Sequence, residues 1–236
     1  MKLNPLPENA TTSQDNLITE KILWLPIRNK KQVNIEIDKL KAAGISKLKV
    51  GVDCIEFNTK KGIKGYDWLI PVLAENFDLE LCFDNFPKKT IRGRVPKCML
   101  PEIVEHFIFC HGAHFDSIQL CRQSLDRVQH TEEENIFAEA IVFAATWAKY
   151  LGKKVCLGKI QAADFEWISK LVSTRFFSHI DYIEIDKEVG GAKSSNTKFY
   201  ERALRSLFQA KGVDTEIRYS QLTSNNLELS PRGIAC

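Results

Sequence analysis

Short apolar runs alternate with helical patterns along most of the chain. The run Ile22–Ile27 has the length and composition of a buried strand, and the apolar spacing from Val33 to Leu40, closed by Gly44, predicts a helix. The same order of strand and helix then recurs, with further strands predicted at 48–52, 79–83, 116–124, 154–158, 182–185 and 215–219. The stretch 116–124 is predicted to be a buried strand that runs into a polar tip.

The helices predicted between these strands cover about 66–77, 100–111, 131–151, 165–172 and 198–210. The strongest follows a capping box of Thr131 and Glu134 and ends at Gly152. Strand and helix units of roughly 30 residues predict an α/β protein with a parallel sheet. No glycine fingerprint for a dinucleotide follows the first strand, so the pattern favours a (β/α)₈-type TIM barrel over an open, doubly wound sheet, which remains the alternative.

The end of the chain is too short to complete eight units. Only Leu222–Cys236 follow the seventh predicted strand, whereas a parallel crossover needs a dozen or more residues. We therefore expect a truncated barrel of about seven units, with an N-terminal arm at 1–19, the barrel at 20–222 and a tail at 223–236. The open edge would be covered by the arm, the tail or a second copy of the chain, so a homodimer is one prediction.

Composition limits the class of protein. The chain has 236 residues, of which 44% are hydrophobic and 27% charged, enough apolar material for a large core. No apolar run reaches the roughly 20 residues that span a bilayer, and the start lacks a secretory leader, so we predict no membrane partner and a cytoplasmic location. The odd number of cysteines, seven, fits a reducing compartment, and a net charge of +3 argues against nucleic acid.

Polar residues stand where the predicted strands end. Because the carboxyl ends of parallel strands meet at one edge of a sheet, these residues should surround a common site. The predicted ligand-binding residues are Arg28, Asp53, Asp84, Arg122, Gln123, Lys159, Asp186 and Tyr219. Arg122 and Lys159 would hold an anionic group, while an aspartate would bind hydroxyls or accept a proton. The alternative is that these side chains face water and form ion pairs without a task.

Metal and cofactor patterns are weak. Cys110, His111 and His114 are close in sequence, but they end a predicted helix on the face of a barrel far from the site. Asp84 and Asn85 beside Asp53 could offer oxygen ligands to a divalent cation. Neither pattern is strong enough to favour an ion, and the sequence predicts no metal and no cofactor.

Several stretches resemble bacterial β-xylosidase-like glycoside hydrolases, a family of (β/α)₈ barrels. They are Ala42–Val52, Gly65–Ala74, Leu81–Phe83, His114–Leu120 and Ile136–Ala140, and the likeness extends over about Lys21–Thr223. The resemblance implies a catalytic Glu after strand four and another after strand seven, where this chain has Gln123 and Ser220. Retaining hydrolysis needs two carboxyl groups about 5 Å apart, which Gln and Ser cannot supply.

Three functions follow as hypotheses. The first is a catalytically degenerate glycosidase-like barrel, a pseudoenzyme that binds a carbohydrate-related or anionic ligand or a protein partner. The second is an enzyme with a rebuilt site for a phosphorylated or nucleotide-linked sugar, in which Asp53, Asp84 or Asp186 would replace the lost carboxylates. The third is a structural subunit that pairs through the open edge of its barrel.

Overall fold

The structure, a computed structural model, describes residues 21–23, 29–85, 96–121, 131–161, 164–186 and 194–220. Two of the predicted segments, the arm at 1–19 and the tail at 223–236, lie outside these ranges. So do three predicted site residues, Arg28, Arg122 and Gln123.

Seven parallel strands form one sheet. They are β1 (Lys21–Leu23), β2 (Lys47–Asp53), β3 (Asp78–Asp84), β4 (Phe115–Cys121), β5 (Lys154–Ile160), β6 (Tyr182–Asp186) and β7 (Glu216–Ser220). The α-helices are α1 (Lys30–Ala42), α2 (Cys54–Phe57), α3 (Lys60–Ala74), α4 (Pro96–His111), α5 (Thr131–Tyr150), α6 (Phe165–Val172) and α7 (Ser194–Lys211). The predicted α/β class and parallel sheet are therefore confirmed.

The strands follow one another in the sheet in the same order as in the chain, from β1 to β7. This order lacks the reversal that defines a doubly wound sheet. Within the described residues, β1 pairs only with β2 and β7 only with β6, so the sheet is not closed into a barrel there. Closure of a (β/α)₈ barrel needs hydrogen bonds between the first and last strands.

Local sequence signals explain where the helices begin and end. The Asn29 side chain accepts hydrogen bonds from the Lys31 and Gln32 amides at the start of α1. Gly44, with φ of 72°, ends the same helix in the left-handed conformation, and the Ile45 amide donates back to the Leu40 carbonyl. The buried face of α1 contains Val33, Ile37 and Leu40, as its apolar spacing predicts.

The two faces of the sheet differ in composition. The outer face packs against the helices and supplies the main apolar core through residues such as Val50, Leu81, Ile118, Val155 and Ile183. We call the opposite side the inner face; it presents the alternate residues, because side chains alternate along a strand.

Three polar residues on the inner face, Lys49, Gln119 and Glu184, are at most 5% exposed. The ammonium group of Lys49 on β2 contacts the carboxylate of Glu184 on β6. The sheet therefore curves strongly enough to bring side chains from non-neighbouring strands together.

No helix in the described part of the chain is long and apolar enough to cross a membrane. The longest of these helices, α5, has 20 residues, and charged side chains such as Glu139 and Lys149 interrupt its apolar sequence.

Candidate functional site

The carboxyl edge, where the strands end, brings several predicted residues together. Asp53 ends β2 and Asp84 ends β3, and the two are partners in the register of this strand pair. Partners on neighbouring parallel strands point to the same face of a sheet, so both carboxylates belong to the inner face. Each is partly buried. The prediction that these aspartates are neighbours at one edge agrees with this register.

The Asp53 side chain accepts three hydrogen bonds. Its Oδ1 atom accepts from the amides of Ile55 and Glu56, both at 2.8 Å, and so caps the short helix α2. Its Oδ2 atom accepts from Nδ2 of Asn85 at 3.0 Å. Asn85 has φ of 54°, the one positive φ of a non-glycine residue among the residues described. Such a conformation is uncommon and often marks a functional site, and here it turns the Asn85 amide towards Asp53.

Lys159 reaches the inner face because β5 contains an irregularity at Gly158. Without it, alternation from the buried Cys156 would place Lys159 on the outer face. Instead the register between β5 and β6 shifts after Cys156, and Lys159 becomes the partner of Glu184. Gly158 has φ of 137°, a conformation that L-residues rarely adopt. Bulges of this kind often redirect a side chain beside an active site.

The approach of β4 to β5 also requires a glycine at this position. A Cβ atom on Gly158 would lie 2.1 Å from the Cys121 carbonyl oxygen and 2.7 Å from the Cys121 Sγ atom. The Cys121 thiol in turn donates to the Leu157 carbonyl at 2.9 Å. In the sequence, Gly158 inside an apolar run indicates a bulge. It does not indicate which way the Lys159 side chain points.

Asp186 and Tyr219 differ in placement. Asp186 ends β6 as the register partner of Ser220, so it lies at the carboxyl edge, but its side chain is outside the described part of the structure. The Tyr219 hydroxyl donates to the Glu201 carboxylate on α7, on the helix-covered side. The hydrogen bond from Tyr219 and the nearby Arg205 guanidinium lower the pKa of Glu201. Tyr219 thus contributes to an outer-face polar cluster rather than to the carboxyl edge.

The cysteines near the carboxyl edge are poor nucleophiles. Burial raises the pKa of the Cys54 thiol, and the charges of Asp53 and Asp84 raise it further. Burial likewise raises the pKa of Cys121, with a smaller contribution from Asp164. Because the thiolate is the reactive form, these two residues serve as small buried side chains and not as attacking groups.

The inner face contains a buried polar network that the sequence interpretation missed. Lys49 contacts Glu184, lies 3.8 Å from an oxygen of Glu80, and donates to the Gln119 Oε1 atom at 3.1 Å. The Gln119 amide then donates to the Cys121 carbonyl at 2.8 Å, which links the network to the carboxyl edge. Lys and Glu inside otherwise apolar strands were the sequence signal, since such residues are rarely buried unless paired.

A cavity of about 510 Å³ lies at the opposite, amino edge of the sheet, where the strands begin. Its lining includes Lys49, Glu80 and Tyr182, and the Arg218 guanidinium stacks on the Tyr182 ring at 3.7 Å. Its lining carries both charges, with Lys47 and Lys154 as well as Asp78 and Asp116. Charged residues of both signs are typical of the amino edge of such a sheet, where residues generally contribute to stability.

A second depression of about 480 Å³ is strongly basic. Four lysines, Lys30, Lys60, Lys61 and Lys64, surround Trp68, and the Lys30 ammonium lies 5.0 Å from the centre of the Trp68 ring. We call it the lysine patch. These lysines belong to the amino-terminal parts of α1 and α3. Helix α1 follows β1 in the chain, and α3 follows β2 and α2, so both helices begin near the carboxyl ends of strands. The lysine patch therefore lies on the same end of the molecule as the carboxyl edge.

The chain was compared with protein families, curated proteins and solved structures. No family model and no curated protein matches the chain. The fold is similar to that of the 3-keto-D-glucoside 4-epimerase YcjR from E. coli in its apo form, with 11% sequence identity, a TM-score of 0.44, and coverage of 89% of this chain and 94% of that chain. A likeness this weak assigns no activity to the chain.

The resemblance to β-xylosidase-like glycoside hydrolases is wrong. No family model matches the chain, and the solved structure named above is a sugar epimerase rather than a glycoside hydrolase. The stretches behind the resemblance are core segments: Gly65–Ala74 lies within α3, and Leu81–Phe83 lies within β3. Apolar segments of this kind recur in unrelated parallel α/β proteins. The interpretation of Gln123 and Ser220 as vacated catalytic positions depended on that family and loses its basis with it.

Proposed function

We propose that the carboxyl edge binds a small molecule that carries both hydroxyl groups and an anionic group, such as a sugar phosphate or a sugar acid. One observation carries the proposal: the register of the sheet puts Asp53 and Asp84 together at this edge, and the bulge at Gly158 turns Lys159 onto the same face. Asn85, in its left-handed conformation, fixes the orientation of Asp53. The bulge at Gly158 and the left-handed Asn85 thus each place a polar side chain through an unusual backbone conformation near a strand end.

The residue types suit such a ligand. Carboxylates accept hydrogen bonds from hydroxyl groups, and an ammonium group on a flexible stem binds phosphate or carboxylate as a point charge. Both oxygens of Asp53 accept hydrogen bonds from the protein, and Asp84 lies beside it as its register partner on β3. Because Asp84 ends β3 at this edge on the inner face, we assign a ligand contact to it, with Asp186 and Arg122 as further predicted contacts.

The lysine patch adds a positive potential on the same end of the molecule. Its four lysines lie near the amino termini of α1 and α3, where helix dipoles also place partial positive charge. Fields of this kind raise the local concentration of anionic ligands and speed their association. The patch therefore supports an anionic rather than a neutral sugar.

An enzymatic role at this edge is a second candidate. The protein would then act on a phosphorylated or nucleotide-linked sugar, with Asp84 or Asp186 accepting a proton while Lys159 holds the charged group. The observation in its favour is that a second partly buried carboxylate, Asp84, lies next to Asp53 at this edge.

The finer predictions on architecture and assembly belong to the same proposal. The curvature that joins Lys49 to Glu184 supports an open barrel of seven strand and helix units. The outer edges of β1 and β7 have no strand partner among the described residues, which supports pairing with a second copy or another protein chain. A cytoplasmic location and the absence of nucleic-acid binding remain predictions from the sequence.

Isothermal titration calorimetry with glucose 6-phosphate, gluconate, glucose and inorganic phosphate tests the binding proposal. We expect the compounds that combine hydroxyls with an anionic group to bind more tightly than glucose. Lys159→Met should weaken that binding at least tenfold, the equivalent of about 1.4 kcal/mol. Lys154→Met is the matched control, because Lys154 lies on the same strand at the amino edge, and it should leave binding unchanged.

Two results would contradict the proposal. If the wild-type chain bound none of the four compounds, the proposed ligand class would be wrong. Equal losses in Lys159→Met and Lys154→Met would show that the ligand does not use the carboxyl edge. The same panel followed by product analysis tests the enzymatic candidate, in which Asp84→Asn should abolish turnover while binding persists.

A further inference from the structure

A second group of polar side chains lies in the helical layer, away from the strand ends. Asp67 on α3 faces His106 and His111 on α4, and one donor atom from each lies within 4.8 Å of the other two. We propose that Asp67, His106 and His111 bind a divalent transition-metal ion of the zinc class. Two imidazoles and one carboxylate form a ligand set that such ions use in proteins.

The distances fit a tetrahedral ion. The Oδ1 atom of Asp67 lies 3.0 Å from Nε2 of His111 and 3.5 Å from Nε2 of His106. A zinc ion with bonds of about 2.0–2.2 Å separates its tetrahedral ligand atoms by roughly 3.4 Å. The two observed distances bracket this value, so an ion could be accommodated with small side-chain movements.

Both histidines point the same ring nitrogen towards the same carboxylate oxygen. The Nε2 atom of His106 is buried and has no hydrogen-bond partner in the described structure. A buried polar atom without a hydrogen-bond partner is costly and calls for an explanation, of which a bound ion is a common one. Here the atom that lacks a partner is also the atom that would bind the ion.

The surroundings of His106 favour metal binding through Nε2. Its Nδ1 atom lies 3.8 Å from the Cys110 Sγ atom, and its ring packs against Phe57 with the centroids 4.9 Å apart. In known metal sites, an interaction at the second ring nitrogen orients the histidine that binds through the first. Asp67 is 42% exposed and His106 is 30% exposed, so an ion could enter from solvent and keep a water molecule in the fourth position.

The end of α4 brings the second histidine into place. His106 and His111 are five residues apart, a spacing that puts two side chains about 140° apart on a regular helix. His111 is the last residue of α4, and its φ of −133° leaves the helical region. This change of direction turns the nearly buried His111 ring towards Asp67, with its side chain only 6% exposed.

A comparable cluster on the inner face is less suited to an ion. Glu80, Cys156 and Glu184 also offer three ligand atoms within reach of one another. The Lys49 ammonium already contacts Glu184 and lies 3.8 Å from Glu80. A cation is thus built into that cluster, and burial raises the pKa of Cys156 well above its usual value, which disfavours the thiolate that binds metal.

Titration of the full-length, tag-free chain with zinc chloride after treatment with a chelator tests the site. We expect one zinc ion per chain, and cobalt chloride should give the visible absorption of a four-coordinate ion. His106→Gln, His111→Gln and Asp67→Asn should each weaken zinc binding at least tenfold. His179→Gln is the matched control, because His179 lies in a separate 3₁₀ turn, and it should bind zinc like the wild type.

His106→Gln keeps the test valid if the buried His111 variant fails to fold. His106 lies in the interior of α4 and its Nε2 atom makes no hydrogen bond, so its replacement should leave the fold intact. Absence of zinc binding by the wild-type chain would overturn the proposal. Unchanged affinity in a folded His106→Gln or Asp67→Asn variant would overturn it as well.

Discussion

The close contact between β4 and β5 at Gly158 leads to the sharpest prediction for stability. In Gly158→Ala, the added methyl group would meet the Cys121 carbonyl oxygen at 2.1 Å, which no real contact allows. The residue would also have to keep φ near 137°, at a cost of about 1–3 kcal/mol. Moving the strands apart would weaken the hydrogen bond from the Cys121 thiol to the Leu157 carbonyl and one backbone hydrogen bond between the strands, at about 1 kcal/mol each.

The sum predicts a loss of about 3–5 kcal/mol in the free energy of unfolding, a large part of the 5–15 kcal/mol of a typical domain. Gly44→Ala provides the control, because Gly44 also has a positive φ, of 72°, but nothing lies within 4 Å of the added atom. That change should cost only about 1–2 kcal/mol, the price of the left-handed conformation alone.

Urea denaturation followed by circular dichroism measures both variants, with the midpoint and slope compared to the wild type. If Gly158→Ala were no less stable than Gly44→Ala, β4 and β5 could not approach as closely as described. The bulge that directs Lys159 would then lose its support, and with it the argument for a cation at the carboxyl edge.

Three further predictions follow from the other contacts. Lys49→Met should destabilise the fold by about 3–5 kcal/mol in urea denaturation, because it removes the ammonium group beside the buried Glu184 and the partly buried Glu80. Adding Glu184→Gln should restore part of the loss, and an additive double variant would contradict the pairing. Tyr219→Phe should cost about 1 kcal/mol at pH 7. The pKa of Glu201 is lowered in the folded state, so the stability due to this carboxylate is present above its unfolded pKa of about 4.3 and is lost as the pH falls through the folded value. The melting temperatures of the wild type and Tyr219→Phe should therefore converge in acid. A difference between them that does not depend on pH would refute this. In the native protein, iodoacetamide should modify the exposed Cys110 well before the buried Cys54, Cys82, Cys121 and Cys156, as read by peptide mass spectrometry, and equally rapid labelling of Cys121 would contradict its burial.

The sequence predicts the elements of this fold well because each is specified by local signals. Apolar runs bounded by turn residues give β3 to within a residue, and the pattern from Val33 to Gly44 gives the end of α1. The order of the strands follows from their alternation with helices. Closure into a complete barrel does not follow, because it depends on pairing between the two ends of the chain.

The site residues are predicted less completely. Asp53 and Asp84 could be placed at one edge because strand ends in a parallel sheet coincide. The direction of the Lys159 side chain depends on a bulge. The direction of the Tyr219 side chain depends on which residues of its strand face inwards, which a single sequence does not fix. The partnership of Asp67 with His106 needs the packing of α3 on α4, which no local pattern encodes.

The contact between Lys49 and Glu184 has a consequence for the folding kinetics. Each strand pairs with the next one in the chain, so every crossover closes a loop of modest length. Lys49 and Glu184 are 135 residues apart, and their contact requires the intervening strands to be in place first. We expect this contact to be absent from the folding transition state, so that Lys49→Met accelerates unfolding and leaves the refolding rate almost unchanged. The inner-face ion pair would thus determine how long the native protein persists rather than how fast it forms.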